Sequence, residues 1–173
     1  NPFANLRYRK DAPKERPPIP EHYIKQIHEL CLAHDDDIRW LIALISDTGM
    51  RLGEAAGLEV RHVHLDDGVP HLIIEETENR PLKTRESRRR VPLVGMALWA
   101  AKRAVEASMA QETPFLFPRY NKRDSTNGNS ASNGLNKWMK GHVPSEYVIH
   151  GFRHAMRDML REVDCRADVM DES

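Results

Sequence analysis

The sequence predicts an α+β fold, mostly helical, with a small three-stranded antiparallel sheet. Three observations carry that prediction. Apolar residues recur at helical spacing from Glu21 to Gly57 and again from Leu98 onward, and the stretch between them alternates in the manner of strands. An Asp67-Gly68 turn pair divides that stretch, as a hairpin requires. The 173 residues suit one domain large enough to bury a core, with 40% hydrophobic and 30% charged residues.

Residues 1–20 are rich in proline and in cations (Arg7, Arg9, Lys10, Lys14, Arg16) and read as a basic linker or as a plain loose terminus. The domain proper is expected over 21–173. Pro20 is placed to open a first helix carrying Ile24, Ile27, Leu30 and Cys31. A second helix, Ile38 to Ile45, is apolar nearly all round and therefore central. Asp35, Asp36 and Asp37 suit its start electrostatically rather than as a metal site, and Gly49 is its stop signal. A short helix fits Leu52 to Gly57. Strands are expected at Val60–Leu65, His71–Glu76 and Arg89–Leu93, the third reached through polar residues 77–88. Leu98, Ala101, Val105 and Met109 mark a helix. Residues 121–133 read as a mobile polar loop. Helices then fit Leu135–Lys140 and Gly151–Val163, the last with an apolar stripe of Phe152, Met156, Met159, Leu160 and Val163. Trp40 and Trp99 are expected in the core, and Trp138 either there or facing a partner. Cys31 and Cys165 are expected to be inert core thiols, and the methionines core filler.

Composition excludes several classes of function. No apolar run is long enough to span a bilayer, and no run reads as a signal-peptide h-region. Two distant cysteines make neither a disulfide framework nor a zinc cluster, and a reducing compartment is the default. Lys+Arg and Asp+Glu both number 26, so bulk charge would not hold this chain to nucleic acid; cations would have to be concentrated locally.

Three segments concentrate them. In Thr48–Glu54, Arg51 opens a short helix beside a glycine turn, where it can offer a guanidinium fork to a phosphate or carboxylate. Glu54, three residues on, can hold it in place, although an ordinary surface Arg–Glu pair would look the same. In 80–90, Arg80, Lys83, Arg85, Arg88, Arg89 and Arg90 face the single acid Glu86. Such a hairpin tip can lie along a phosphate backbone and carry a proton-donating Lys, or it can be a solvated charged turn. In Ile149–His154, Arg153 falls at the edge of the apolar stripe, about 80° from its centre, as the wall of a cleft would need, and His150 stands just before the helix. Each segment alone has a plain structural reading. Together they assemble two arginines, a lysine and a histidine suited to the oxygens of a phosphodiester in transition.

Here the sequence resembles a known family. T-G-M-R-L-G-E-A-A-G-L (48–58), K-T-R-E-S-R-R-R-V-P-L (83–93) and H-G-F-R-H (150–154) resemble three successive signatures of phage-type integrases, the tyrosine recombinases, in order and at comparable intervals. The resemblance covers about residues 20–173, and the N-P-F opening is similar to that family's interdomain linker. It implies a tyrosine recombinase catalytic-domain fold and site-specific DNA recombination, as in integration or excision of a phage or mobile element. By this resemblance Arg51 and Arg153 clamp the scissile phosphate, Lys83 protonates the leaving 5′ oxygen, and His150 assists proton transfer. Glu54 supports, and His154 is structural. Arg80, Arg85, Arg88, Arg89 and Arg90 contact DNA. Cleavage through a 3′-phosphotyrosyl link conserves bond energy, so no cofactor and no metal is implied. The implied partner is double-stranded DNA, held by a tetrameric synapse of the full-length protein, in the cytoplasm and on the nucleoid of a bacterial host. The family's closing His or Trp and nucleophilic Tyr match none of Tyr8, Tyr23, Tyr120 or Tyr147. The chain is therefore expected to be cut short before its nucleophile, and also upstream, to be inactive by itself, and to be monomeric as a fragment. A non-catalytic DNA-binding module and a plain helical interaction domain are the alternatives.

Overall fold

The computed structural model describes residues 16–78 and 88–171, with side chains up to residue 164. Its centre is α2 (Asp37–Thr48), whose Leu41, Ile42, Ala43 and Leu44 are fully buried on successive faces. Three helices surround it: α1 (Glu21–His34), α4 (Gly95–Ala110) and α6 (Gly151–Asp171). The short α3 (Leu52–Ala56) follows α2 and packs against α5 (Gly128–Lys140). The sheet has order β1–β2–β3, from Val63–His64, His71–Ile74 and Arg89–Pro92, antiparallel throughout. In it Leu72 pairs with both Val63 and Val91, and Ile74 with Arg89.

The acidic run does what its charge suggests. The Asp36 side chain accepts the Arg39 N–H at 3.0 Å and caps α2, while Asp37 lies in the first turn. Asp35 turns the corner between α1 and α2 at φ 46°, and its carboxylate takes Trp40 Nε1 at 2.7 Å and a two-pronged grip from Arg103 of α4 at 3.0 and 2.8 Å. At the other end of α2, Asp47 accepts the Met96 N–H at 2.7 Å and so caps α4. These two carboxylates fix α2 and α4 at both ends of their contact.

Gly49 terminates α2 as expected, at φ 64° with its N–H on Ile45 O at 2.8 Å. It also lets α6 approach: a Cβ there would stand 3.0 Å from both Cβ and Cγ of Met156. Residues 17–20 join the domain as well. Ile19 is buried and its N–H reaches Gly151 O at 3.3 Å.

Several expectations fail for identifiable reasons. The segment 121–133 is not a loose loop. It makes a small hairpin of β4 (Asn121–Lys122) and β5 (Ser125–Thr126) and then the first turns of α5, which Asn127 caps by accepting the Ser130 N–H at 3.0 Å. Ala131 continues the buried face of Leu135 and Met139, a period hidden by the polar residues around it. Val60–Leu65 is mostly not a strand: Val60–His62 form a 3-10 turn, because the buried His62 ring accepts the Glu59 N–H at 3.0 Å and closes it. The α6 stripe is buried only at its start. Phe152 lies in the core, but Met159, Leu160 and Val163 are exposed. Met50 and Met139 fill the core, whereas Met109 and Met159 do not. Trp40 is buried and Trp99 half-buried against the core. Trp138 is half-buried under the Arg39 guanidinium, 5.2 Å from its centroid. The Cys31 thiol is pushed up to about 12 by burial and is inert; the side chain of Cys165 lies outside the described residues.

Gly49→Ala combines a left-handed backbone with a steric clash. It is expected to destabilise the chain by about 1–3 kcal/mol in urea unfolding, through loss of the α2–α6 contact.

Candidate phosphate-binding site

The end of α2, the start of α3 and the start of α6 meet at one place. Arg51 is the N-cap residue of α3, and its own N–H donates to Glu54 Oε2 at 3.1 Å. Its Nη1 reaches Glu54 Oε1 at 3.4 Å. The Glu54 side chain is only 8% exposed. From β3, Arg89 closes on the same carboxylate with two bonds, Nη1 to Oε1 at 3.2 Å and Nη2 to Oε2 at 2.8 Å. A buried carboxylate surrounded by donors in this way is rigid. It holds the Arg51 backbone and head group together and leaves the Arg51 side chain 40% exposed.

Arg153 approaches from the first turn of α6. Its Nη1 donates to Gly49 O at 2.8 Å, two residues before Arg51. The backbone carbonyl is free to accept because α2 ends there. Burial, and then the positive charges of Arg51 and Arg157, disfavour the protonated state of Arg153, opposed by Glu54. An arginine still keeps its proton, so the repulsion remains as a standing preference for an anion. His150 shares that field. Partial loss of water around its ring, then His154, Arg153, Arg157 and Arg51, lower its pKa below the ordinary histidine value. The His154 ring meets it edge-on, with centroids 4.8 Å apart. His150 is therefore biased toward the neutral imidazole, which can accept a proton, and a bound anion would reverse that bias.

Arg51, Glu54, His150 and Arg153 are thus brought together. Lys83, Arg80 and Arg85 lie outside the described residues. Arg88 and Arg90 are exposed, with Arg88 Nη2 3.8 Å from Glu75, so both can reach a polyanion. Arg89 is spent differently from its neighbours, on Glu54, and its side chain is 33% exposed. Sequence reading passed over Arg157, which acts on both His150 and Arg153. Its place four residues after Arg153, on the same helix face, was the available signal. It also passed over the Gly49 carbonyl, which no side-chain pattern advertises.

Helices packed round a central helix, a small sheet and a cationic cleft at two helix starts define the arrangement, and comparison with known proteins shows the family that shares it. The sequence model of the Phage integrase family matches residues 19–169, and the chain belongs to that family. Tyrosine recombinase XerC of Vibrio vulnificus, strains YJ016 and CMCP6, is 28% identical over 170 residues, covering 92% of this chain and 50% of the relative. The chain spans about half the length of these curated relatives. Among solved structures, the XerA recombinase matches with a TM-score of 0.65 at 16% identity, over 88% of this chain and 52% of that one. The XerH recombinase bound to difH substrate in a pre-cleavage complex matches at 0.60 and 19% identity, over 84% and 42%. The Tn1549 transposon integrase in complex with transposon right end DNA matches at 0.59 and 17%, over 89% and 56%. The fold is thus that of tyrosine recombinase catalytic domains, α+β with a small antiparallel sheet, as the sequence predicts.

The Glu54 network sets a pH dependence. Burial acts to raise the Glu54 pKa, but the hydrogen bonds and charge of Arg89, with those of Arg51, outweigh it and hold the carboxyl below its ordinary value. A carboxyl depressed in the folded state stabilises the fold above its unfolded pKa, about 4.3, and that contribution is lost as pH falls through the folded value. Glu54→Gln is expected to lower stability at neutral pH by about 1–3 kcal/mol and to flatten the loss below about pH 4.5, measured by urea unfolding across a pH series.

Proposed function

We propose that this chain is the phosphate-activating core of a site-specific DNA recombinase of a phage or other mobile element. It would act on double-stranded DNA by breaking and rejoining strands through a 3′-phosphotyrosyl intermediate. The observation that carries this reading is the convergence of Arg51, Arg153 and His150 on one cleft where positive charges already repel one another. Fixed guanidinium groups aimed at the non-bridging oxygens of a phosphodiester stabilise the charge that grows there in the transition state. Neutral His150 can take the proton of an attacking hydroxyl, and Lys83 is assigned the proton for the leaving 5′ oxygen. The XerH structure bound to difH substrate and the Tn1549 integrase structure in complex with transposon right end DNA support the choice of partner.

The nucleophile is proposed to lie outside the three described tyrosines. Tyr120 is buried in the core, and the rings of Tyr23 and Tyr147 stand 5.5 Å apart beside α1. By itself the chain then binds DNA without cutting it. The assembly proposed for the full-length protein is a synapse of four subunits on DNA, in a bacterial cytoplasm.

Duplex binding by the chain is expected to weaken linearly in log–log terms with salt, and Arg153→Ala to weaken it roughly 10-fold while reducing the salt slope by about one. A nicked suicide duplex is expected to leave no covalent protein–DNA product. Salt-insensitive binding would favour a plain protein-interaction domain, and a trapped adduct would place the nucleophile within this chain.

A further inference from the structure

At the far end of the sheet from Arg89, the β1–β2 hairpin carries a second cluster that the phosphate site does not use. His64 and His71 are direct cross-strand partners, and Asp67 sits in the turn between them. One donor atom from each can be chosen so that all three lie within 4.8 Å of one another. Asp67 Oδ2 stands 3.8 Å from His64 Nδ1 and 3.8 Å from His71 Nε2. The imidazole rings face each other with centroids 4.9 Å apart and 8° between planes.

The hydrogen bonds around the cluster decide what it suits. His71 Nδ1 lies 2.8 Å from Val69 O. A carbonyl can only accept, so Nδ1 carries the proton and the lone pair of a neutral ring is left on Nε2, facing the carboxylate. A carbonyl bond on the other nitrogen is how metal-binding histidines are commonly oriented. His64 has no hydrogen bond on either nitrogen: 3.8 Å from Nδ1 to Asp67 is too long, and Nε2 is buried without a partner. The His71 Nε2 lone pair, His64 Nδ1 and an exposed Asp67 carboxylate oxygen thus lie close together with no hydrogen bond of ordinary length among them, and His64 Nε2 is buried without a partner.

We propose that His64, Asp67 and His71 form a binding site for a divalent transition ion of the zinc type, which clasps the β1–β2 hairpin. Two imidazoles and a carboxylate are a donor set that zinc accepts, with water completing four-coordination. Donor atoms around such an ion stand about 3.4 Å apart, so each His–Asp separation of 3.8 Å has to close by a few tenths of an ångström, and the two imidazole nitrogens, which lie within 4.8 Å, have to approach by up to about 1.4 Å as the rings tilt out of parallel. The turn allows it, since Asp67 is 61% exposed. The ion would stiffen a hairpin whose β1 is only two residues long, at the edge of the sheet that positions Arg89.

The test is titration of the purified chain with zinc alone, in competition with a chromophoric chelator, and with cobalt as a spectroscopic substitute. One equivalent is expected to bind, with the visible absorption of a tetrahedral cobalt site. His64→Gln and Asp67→Asn are each expected to weaken zinc at least roughly 10-fold, whereas His142→Gln, on the α5 side of the molecule, leaves it unchanged. Asp67 is exposed enough that its variant folds, which circular dichroism confirms. Failure of the wild-type chain to compete for zinc, unchanged affinity in both hairpin variants, or equal loss in His142→Gln would overturn the proposal. DNA binding at the Arg51–Arg153 cleft is read separately and is not required for this result.

Discussion

One buried carboxylate governs this molecule. Glu54 receives the Arg51 backbone, the Arg51 head group and both prongs of Arg89, and so ties the start of α3 to the third strand of the sheet. Remove its charge, and two partly buried guanidinium groups face each other uncompensated. With it, Arg51 is fixed at a helix start with part of its surface still turned to solvent. The cleft depends on this because a flexible arginine would lose conformational entropy on meeting an anion, whereas a fixed one offers its donors without that cost.

The second half of the cleft is built by backbone rather than charge. α2 has to end at Gly49 for its carbonyl to be free for Arg153, and Gly49 has to lack a side chain for Met156 of α6 to come within contact. The stop signal of the central helix and the anchor of the second arginine are therefore the same residue. Asp35 and Asp47 hold α2 against α4 at its two ends, so the helix that presents Gly49 is itself immobilised. Core packing and site geometry are coupled through a helix that contributes no side chain to the chemistry.

Much of this was legible in the sequence because it depends on local patterns. An all-round apolar run announces a central helix, glycine announces its end, and a Thr-Gly-Met-Arg run followed by Glu54 announces the first half of the site. Zero net charge is compatible with a locally basic cleft because the charges are unevenly placed: Asp35 and Asp37 pair with Arg103 and Arg119 near the start of α2 and Asp47 accepts a backbone N–H of α4, whereas Arg51, Arg153 and Arg157 act on one another at the end of α2. What stayed hidden depends on neighbours distant in the chain. Arg89 reads as one more cation in a basic run until β3 is set beside α3. The α5 start was masked by asparagines and serines that cap and solvate it. The exposed Met159, Leu160 and Val163 look like core in a helical wheel, because periodicity shows which face is apolar and not what lies against it. His64 and His71 were separated by a turn and became a pair only through strand register.

The central claim is that Arg51 and Arg153 serve one anion. A crystal structure of the chain soaked with a vanadate or phosphodiester mimic tests it most directly. A single tetrahedral or trigonal anion is predicted, with donors from both Arg51 and Arg153, His150 within hydrogen-bond reach, and the Glu54–Arg89 pair undisturbed. Anions held by each arginine separately, or by neither, would contradict the account.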